Sequence, residues 1–405
     1  MKYIEGGVCA AQGFKASGIH VGVKTKNKDK KDIALIVADN DCTAAAVYTK
    51  NLVKAAPLLV TKENLKDGKA RIVFVNSGNA NACAPLGEEN ARRMCNAAAT
   101  QLGLNENDVL VASTGVIGQA LPIEIIEGGV AELVSELSYE GSKDAAAAIM
   151  TTDLTMKEFA VEFTIDGKTV RIGGIAKGSG MIHPNMGTML AFLTTDCAIS
   201  SEMIQKALVR AANVSFNRIS VDGDTSTNDM LTLMANGLTG NAEITCEGAF
   251  FEVFSEALNT LCIDLAKMIA ADGEGATHLI TCRVSRAENE EDAEALSKAV
   301  ISSTLVKAAM FGTDANWGRI LCAMGYSGVN FDPDTVSIAF ESKAGRIAVC
   351  EAGRGLSFDE QTAKKILTER DITIEIALSA GNAECTCWGC DITYDYIKIN
   401  GDYRT

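Results

Sequence analysis

The stretch Lys177-Gly-Ser-Gly-Met-Ile-His-Pro-Asn-Met-Gly-Thr-Met-Leu-Ala-Phe192 joins a glycine-rich loop to an apolar strand and is the most informative part of the sequence. Thr188 lies where the predicted loop becomes the strand. A threonine hydroxyl is a weak nucleophile unless a base activates it, and one known base is the free amine of an N-terminal threonine. The ordinary pKa of that amine, about 7.7–8.0, leaves a good fraction neutral at physiological pH. Thr188 can use this base only if the chain breaks after Gly187.

The pattern around Thr188 also has a plain structural interpretation, in which a β-branched residue opens a strand. The physics of the motif alone favours that interpretation. As a phosphate-binding loop the segment is weak, because the glycine that a dinucleotide-binding motif requires next is replaced by His183.

Short β-rich runs and long helical patterns are mixed along the chain, and the strands often follow one another without a crossover helix. This order predicts an α+β fold of layered sheets with flanking helices, rather than a doubly wound parallel sheet. Asp166-Gly167 predicts a β-hairpin, because these residues supply the positive φ angles of a tight turn. Strands are predicted at 33–38, 71–75, 109–112, 159–165, 169–175, 189–194, 231–235, 279–284, 337–340, 347–350, 372–378 and 391–399. Helices are predicted at 88–102, 123–137, 202–214, 250–271, 289–305 and 360–368.

Composition excludes several classes of protein. The chain has 405 residues, of which 47% are apolar and 22% charged, as in ordinary folded proteins. Its formal net charge of −15 argues against nucleic acid or anionic lipid as a partner. No apolar run approaches the roughly 18 residues of a membrane span, and residues 1–14 lack the apolar stretch of a signal peptide. Thirteen cysteines without an export signal indicate mostly free thiols in a reducing cytoplasm.

The residues that most often hold metals or activate nucleophiles form no complete motif. The histidines are His20, His183 and His278, and no G-x-S-x-G elbow accompanies them. Cys385 and Cys387 share one side of a strand, but no partner pair stands at a zinc-like spacing. Buried free thiols are the better interpretation of this pair, and no metal or cofactor is expected.

The stretch Asp222–Asp229 begins like a calcium loop but fails two tests. Thr227 replaces the glycine required at the sixth position, and Leu233 replaces the glutamate at the twelfth. The stretch therefore predicts a polar turn or a substrate-facing network of hydrogen bonds.

Motifs along the whole chain resemble those of the bifunctional ornithine acetyltransferase family, the glutamate N-acetyltransferases of arginine biosynthesis. The stretch 177–190 resembles the self-cleavage region of that family, with Gly187 where the family most often has alanine. The other matching motifs stand in family order and span Gly6–Gly18, Val75–Ala82, Ser113–Gly118, Met150–Asp153, Ser215–Asn217, Val221–Asp229, Phe311–Arg319, Trp388–Asn400 and Asp402–Thr405.

The resemblance implies a self-processing acyltransferase with an N-terminal-nucleophile-like architecture. The precursor would cut itself between Gly187 and Thr188 by an N-to-O acyl shift, giving an α chain (1–187) and a β chain (188–405). Thr188 would then take the acetyl group of N2-acetyl-L-ornithine and pass it to L-glutamate in a ping-pong reaction. Acetyl-CoA is a further acetyl donor in bifunctional members. The resemblance also implies a heterotetramer of two α and two β chains.

The resemblance assigns supporting roles by position. Thr114 and Gly115 match the family's oxyanion hole, in which a hydroxyl and a backbone N–H face the developing negative oxygen. Lys177 is expected to pair with a substrate α-carboxylate, and Glu274 to face an ammonium group. At one of the substrate-binding positions, Thr152 is the expected residue and its neighbour Thr151 is the alternative. The residues at the family's substrate-binding positions are Thr152, Lys177, Thr188, Glu274, Asn400 and Thr405.

Two other functions are compatible with the sequence. In a hydrolase or aminopeptidase with a similar nucleophile, water would replace glutamate as acceptor, and acetylornithine would disappear without forming acetylglutamate. In a non-catalytic amino-acid-binding protein, the chain would stay uncut and Thr188 would be only a strand residue. The spread of matching motifs over the whole chain disfavours both.

Overall fold

The computed structural model of the chain describes residues 1–24, 29–183 and 189–401. The strands are β1 (Lys2–Ile4), β2 (Phe14–Ile19), β3 (Ile33–Tyr48), β4 (Lys69–Asn76), β5 (Val109–Ser113), β6 (Lys157–Ile165), β7 (Lys168–Lys177), β8 (Leu190–Thr195), β9 (Ile219–Ser220), β10 (Met230–Ala235), β11 (Leu279–Ala287), β12 (Ser337–Ser342), β13 (Gly345–Glu351), β14 (Arg354–Gly355), β15 (Asp371–Ala377) and β16 (Ala383–Cys390). The helices are α1 (Ala56–Asn64), α2 (Gly87–Leu102), α3 (Ile123–Ser135), α4 (Ser142–Ile149), α5 (Ser201–Val214), α6 (Ala249–Ala271), α7 (Glu290–Ser302), α8 (Thr304–Phe311), α9 (Trp317–Gly325), α10 (Glu360–Leu367) and α11 (Tyr394–Gly401).

Nine of the strands within these ranges form a mixed sheet with the spatial order β1-β6-β7-β8-β10-β3-β4-β5, while β2 pairs with the first half of β3. Pairing is antiparallel except between β8 and β10 and between β4 and β5. The first residues of β8 and β10 therefore lie side by side, with the last residue of β7 opposite the start of β8. This arrangement brings three loops to one end of the sheet.

The hairpin of β6 and β7 confirms the prediction made from Asp166-Gly167. Because Ile165 pairs with Lys168, the turn consists of Asp166 and Gly167 alone. Both turn residues have positive φ angles, 51° for Asp166 and 69° for Gly167. That geometry matches the right-handed twist of the flanking strands.

Helices cover both faces of the large sheet. One core packs α5 and α6 against β6, β7, β8 and β10, and α4 covers the opposite face. The helices α1, α2 and α3 cover the end of the sheet formed by β3, β4 and β5. Phe254, Leu258, Leu261 and Leu265 of α6 are fully buried, as their three- and four-residue spacing predicts, whereas Phe250 is exposed.

A second sheet has the order β14-β13-β12-β15-β11-β16-β9 in the described part of the chain, with α7, α9 and α10 packed on it. Since α6 also contacts β16 and β11, this helix lies between the two sheets. The predicted α+β fold of layered sheets with flanking helices is thereby confirmed. No helix within the described ranges is long and apolar enough to cross a membrane.

Two predicted elements at the C-terminal end of the chain were wrong. Residues 391–399 were expected to form a strand, but 394–401 form α11, and the preceding strand β16 at 383–390 was not predicted. The alternation of apolar and polar residues in 394–399 suggested a strand, yet Tyr394 and Ile397 are exposed on the helix.

The helix expected at 289–305 is divided at Ser303, whose side chain accepts from the Val306 N–H and starts α8.

A buried lysine ties the start of β6 to the end of α6. Lys157 Nζ lies 2.7 Å from Asp153 Oδ1 and 2.6 Å from Asp272 Oδ2, and its side chain is fully buried. Asp272 is the C-cap residue of α6, and its carboxylate also accepts from the N–H groups of Leu154 and Thr155. The bridge therefore fixes the segment 153–155 against the end of the helix.

We expect Lys157→Met to lower the free energy of unfolding by about 3–5 kcal/mol, because it leaves two carboxylates without their buried cation. Urea denaturation at pH 7 measures this loss. Arg210→Ala is the matched control, since it removes an exposed pair with Glu252 and should cost less than about 1 kcal/mol. Equal losses in the two variants would contradict the role of the buried bridge.

Candidate active site

A cavity of about 230 Å³ opens where the loops next to β5, β7, β8 and β10 meet. Its lining includes Met189, the residue that follows Thr188 in the chain. Both alternatives at positions 151 and 152 also line the cavity. Gly187, Thr188 and Thr405 lie outside the described residues. The expected site residues that line the cavity are Thr114, Gly115, Thr152, Lys177, Glu274 and Asn400.

The loop after β5 has a backbone that only glycine fits. The Thr114 N–H donates to the Asn76 carbonyl at 3.0 Å, which holds the start of the loop beside β4. Gly115 has a φ of 130°, and a Cβ there would lie 2.7 Å from the carbonyl carbon of Gly78 and 2.8 Å from the nitrogen of Asn79. A side chain at position 115 would thus push two loops apart.

Lys177 is the last residue of β7, and only 8% of it is exposed. Its Nζ donates to Thr114 Oγ1 at 3.4 Å. Burial lowers the pKa of Lys177, and the carboxyl groups of Asp153, Asp229 and Glu274 act in the opposite direction. Because no carboxylate of the described residues comes within 4.0 Å of Nζ, this cation is available to an anionic group of a ligand.

Asp153 fixes the backbone on two sides of the cavity. Its carboxylate accepts from the Gly178 N–H at 2.7 Å and from the Thr151 N–H at 3.0 Å, besides its pair with Lys157. Burial by itself raises the pKa of Asp153, but Lys177, Lys157 and the Gly178 N–H outweigh it and hold this pKa well below its usual range. Asp153 is therefore a permanent carboxylate between two lysines.

Glu274, which is 7% exposed, lines the cavity next to Asn400 of α11. Asn400 Nδ2 donates to Glu274 Oε2 at 2.6 Å, and the Glu274 N–H donates to the Ser179 carbonyl at 2.9 Å. Ser179 also shares a hydrogen bond of 2.7 Å with Thr152. A Cβ at Gly180 would collide with the Glu274 carboxylate, so glycine at 180 leaves room for it.

The loop before β10, which begins like a calcium loop, is a polar network. Asp222 accepts from the N–H groups of Met181 and Ile182 at 2.6 and 2.8 Å. Asn228 Nδ2 donates to the Ser113 carbonyl at 2.8 Å, and Asn228 also lines the cavity. The stretch is therefore a polar turn whose side chains bond to backbone, as one of its two interpretations predicted, and the substrate-facing interpretation stays a prediction.

Asp153 and Asp229 were not predicted as site residues, although both influence the pKa of Lys177 in the cavity. Each is the last residue of a motif that carries the family resemblance, Met150–Asp153 or Val221–Asp229. For Asp229, the available signal was an acidic residue directly before an apolar strand.

The cysteines and histidines lie away from this chemistry. All thirteen cysteines are free, and Cys385 and Cys387 are buried in β16, as predicted. His20, His183 and His278 do not line the cavity. Across the residues that the structure describes, no three histidine, cysteine or acidic side chains are grouped to hold a metal ion.

A cavity with a few charged and polar groups, formed by loops at one end of a sheet, is typical of proteins that act on or bind small molecules. The chain belongs to the ArgJ family, whose model matches residues 15–405. It is 49% identical over 406 residues to the arginine biosynthesis bifunctional protein ArgJ of Symbiobacterium thermophilum, and both chains are covered completely. It is 48% identical over 407 residues to the protein of the same name from Caldanaerobacter subterraneus, again over the whole of both chains.

A crystal structure of the arginine biosynthesis bifunctional protein ArgJ from Bacillus halodurans is also similar, with 46% identity and a TM-score of 0.51. The match covers 53% of this chain and 99% of the solved chain. These comparisons confirm the family resemblance, and the chain is therefore an acyltransferase of arginine biosynthesis.

We expect Gly115→Ala to destabilise the protein by about 1–3 kcal/mol more than Gly118→Ala, as measured by thermal unfolding. Both glycines lie in the same loop with positive φ angles, 130° and 81°, so both variants carry the backbone strain of about 1–2 kcal/mol. A Cβ at 118 meets nothing within 4 Å, whereas a Cβ at 115 collides with backbone. Equal losses would show that backbone contact at Gly115 is unimportant.

Proposed function

We propose that the chain is a self-processing enzyme that transfers the acetyl group of N2-acetyl-L-ornithine to L-glutamate. One observation carries the proposal: six residues expected from the family resemblance surround a single cavity, together with the residue that follows Thr188. The cavity also offers a buried cation that pairs with no carboxylate of the described residues, Lys177, and a carboxylate, Glu274. That charge pattern suits an amino acid, which carries both signs of charge.

In the proposed self-cleavage, the Thr188 hydroxyl oxygen attacks the carbonyl carbon of Gly187. The carbon–nitrogen bond between these residues breaks, the hydroxyl proton passes to the nitrogen, and an ester replaces the peptide bond. Water then hydrolyses the ester, leaving a carboxylate on Gly187 and a free amine on Thr188. Glycine stands at position 187, where the family most often has alanine, and it still permits this shift.

The length of the solved relative supports cleavage. The polypeptide of the Bacillus halodurans structure matches over nearly its whole length, yet it covers only 53% of this chain. The proposed β chain, 188–405, contains 218 of the 405 residues, which is about 54%. A solved polypeptide of about half length is what a protein that exists as two chains would give.

In the proposed transfer, the Thr188 hydroxyl attacks the acetyl carbonyl of acetylornithine while the Thr188 amine takes its proton. Ornithine leaves as its nitrogen takes the proton held by the Thr188 amine. The amine of glutamate then attacks the acetyl-threonine ester, and the proton that it loses passes through the Thr188 amine to the threonine oxygen, which regenerates the hydroxyl. In each half-reaction the carbonyl oxygen becomes negative. The Thr114 hydroxyl and the Gly115 N–H are assigned to stabilise it, as in other oxyanion holes.

Substrate binding is assigned to the charged and polar groups of the same cavity. Lys177 would pair with the α-carboxylate common to both substrates, and Glu274, oriented by Asn400, would face an ammonium group. Thr152 stands beside Ser179, where its hydroxyl would contact the substrate directly. Thr405 is assigned to the same subsite by the family resemblance.

The remaining assignments rest on the family. We propose two α and two β chains assembled as a heterotetramer in the cytoplasm, with no cofactor. A second reaction, in which acetyl-CoA donates the acetyl group, is favoured by the relatives' description as bifunctional proteins.

We expect the purified wild-type protein to give two fragments that break between Gly187 and Thr188, while Thr188→Ala stays whole. Intact mass under denaturing conditions measures this, and the fragment masses should sum to 42.7 kDa plus one water. Thr260→Ala is the control, because the Thr260 hydroxyl donates within α6 to the Glu256 carbonyl and Thr260 does not line the cavity.

The same samples separate the competing functions. Acetylornithine lost without formation of acetylglutamate would indicate a hydrolase. An uncut chain that binds ornithine but transfers nothing would indicate a binding protein. An uncut chain that still transfers acetyl groups would refute the free amine as base.

We expect Thr114→Ala to lower kcat by about 10²–10³-fold with little change in KM, because one oxyanion donor is lost only in the transition state. Thr114→Ser keeps the hydroxyl and should retain most of the activity. Steady-state kinetics of acetylglutamate formation measure both. A large rise in KM without loss of kcat would instead place Thr114 in substrate binding.

A further inference from the structure

Asp229 brings a buried and incompletely satisfied carboxyl group to the cavity. It directly precedes β10, is only 2% exposed and lines the cavity wall. Its Oδ2 atom is buried and finds no hydrogen-bond partner in the part of the chain that the structure describes. A buried polar atom without a partner costs about 1–3 kcal/mol, so its place beside a ligand cavity indicates a ligand.

The groups near this carboxyl include the neighbour of the expected nucleophile. The side chains of Ser226 and Thr49 and the backbone N–H of Met189 lie close enough to lower the pKa of Asp229. Met189 directly follows Thr188 in the chain. Asp229 therefore lies near the residue that is bonded to the proposed nucleophile.

Burial raises the pKa of Asp229 well above its usual range, and Lys177 is the charged group that opposes this. The charge of Lys177 also interacts with Asp153, Lys157 and Glu274, so Asp229 is only one of several groups that it influences. An amine placed beside Asp229 would donate an N–H to Oδ2 and supply the hydrogen bond that no described residue provides, while its lone pair stays free to react.

We propose that Asp229 Oδ2 binds a reacting amine of the acyl-transfer cycle and orients its lone pair toward the acetyl carbon or the threonine hydroxyl. The proposal rests on the proposed function. Two amines have this chemistry, the Thr188 amine freed by cleavage and the α-amine of the amino-acid substrate. In either case Asp229 is a positioning residue, because it acts through the amine.

Asp229→Asn tests the proposal, because the amide keeps the size of the side chain but replaces one acceptor oxygen by an NH2 donor. Asp196→Asn is the matched control: Asp196 is fully buried and accepts from the N–H groups of Gln12 and Arg171, away from the cavity. Both variants are first checked by intact mass and then assayed with N2-acetyl-L-ornithine and L-glutamate. We expect kcat/KM to fall by about 10²-fold or more in Asp229→Asn and to change less than about threefold in Asp196→Asn.

The kinetic pattern identifies which amine is bound. If Asp229 holds the Thr188 amine, kcat falls with nearly unchanged KM values, and ornithine release and glutamate acetylation slow together. Failure of Asp229→Asn to cleave supports the same source, because the Thr188 nitrogen becomes an amine during the acyl shift. If Asp229 holds the substrate amine, cleavage is normal and KM rises by tenfold or more. Normal cleavage with unchanged kcat and KM overturns the proposal.

Thermal unfolding separates positioning from a structural role. A carboxyl whose folded pKa is raised loses stability as pH rises above its unfolded value of about 3.9. Asp229→Asn lacks this loss, so its Tm at pH 8 should equal or exceed that of the wild type, with the difference shrinking toward pH 4. A lower Tm at pH 8, with activity lost only in proportion to the unfolded fraction, would overturn the proposal.

The proposed function can fail separately from this inference. A wild-type protein that neither cleaves nor transfers acetyl groups refutes the proposed function, and this inference with it. A wild-type protein that does both, beside an Asp229→Asn variant with unchanged cleavage and kinetics, refutes this inference alone.

Discussion

The buried ion pairs around Asp153 are the interaction on which the cavity depends. Asp153 binds the Lys157 ammonium and two backbone N–H groups from loops on different sides of the cavity, while Lys157 reaches on to the C-cap of α6 at Asp272. Asp153 is the main negative charge that offsets the burial of Lys177. Without this carboxylate, burying the Lys177 ammonium would cost far more free energy. The cluster therefore allows a positive charge to be kept inside the site.

Sheet topology explains why these groups meet. The parallel pairing of β8 with β10, next to the antiparallel β7, puts the end of one strand and the starts of two others at one end of the sheet. Lys177 ends β7, and Asp229 comes directly before β10. Glycines at 115 and 180 then let backbone and carboxylate approach where any side chain would collide.

The two buried acids of the cavity have opposite electrostatics. Asp153 is surrounded by cations and N–H donors, so its pKa is lowered, whereas burial raises the pKa of Asp229 more than Lys177 and the neighbouring donors lower it. The cavity therefore holds two carboxyl groups in different electrostatic environments, one paired with a lysine and one whose Oδ2 has no partner among the described residues.

The sequence by itself determined the elements whose signals are local. The Asp166-Gly167 turn and the periodicity of α6 each lie within a few to about twenty residues, so these elements could be predicted. The six predicted residues that line the cavity came from the family resemblance that the ordered motifs carry. Only the tertiary structure decided which charged side chains are buried and which of them form pairs. Lys157 pairs with Asp272, which is 115 residues further along the chain. The helix α11 forms where a strand was predicted. Asp229 is buried by residues that are distant in the sequence. Desolvation depends on what packs around a group, and local sequence does not encode that.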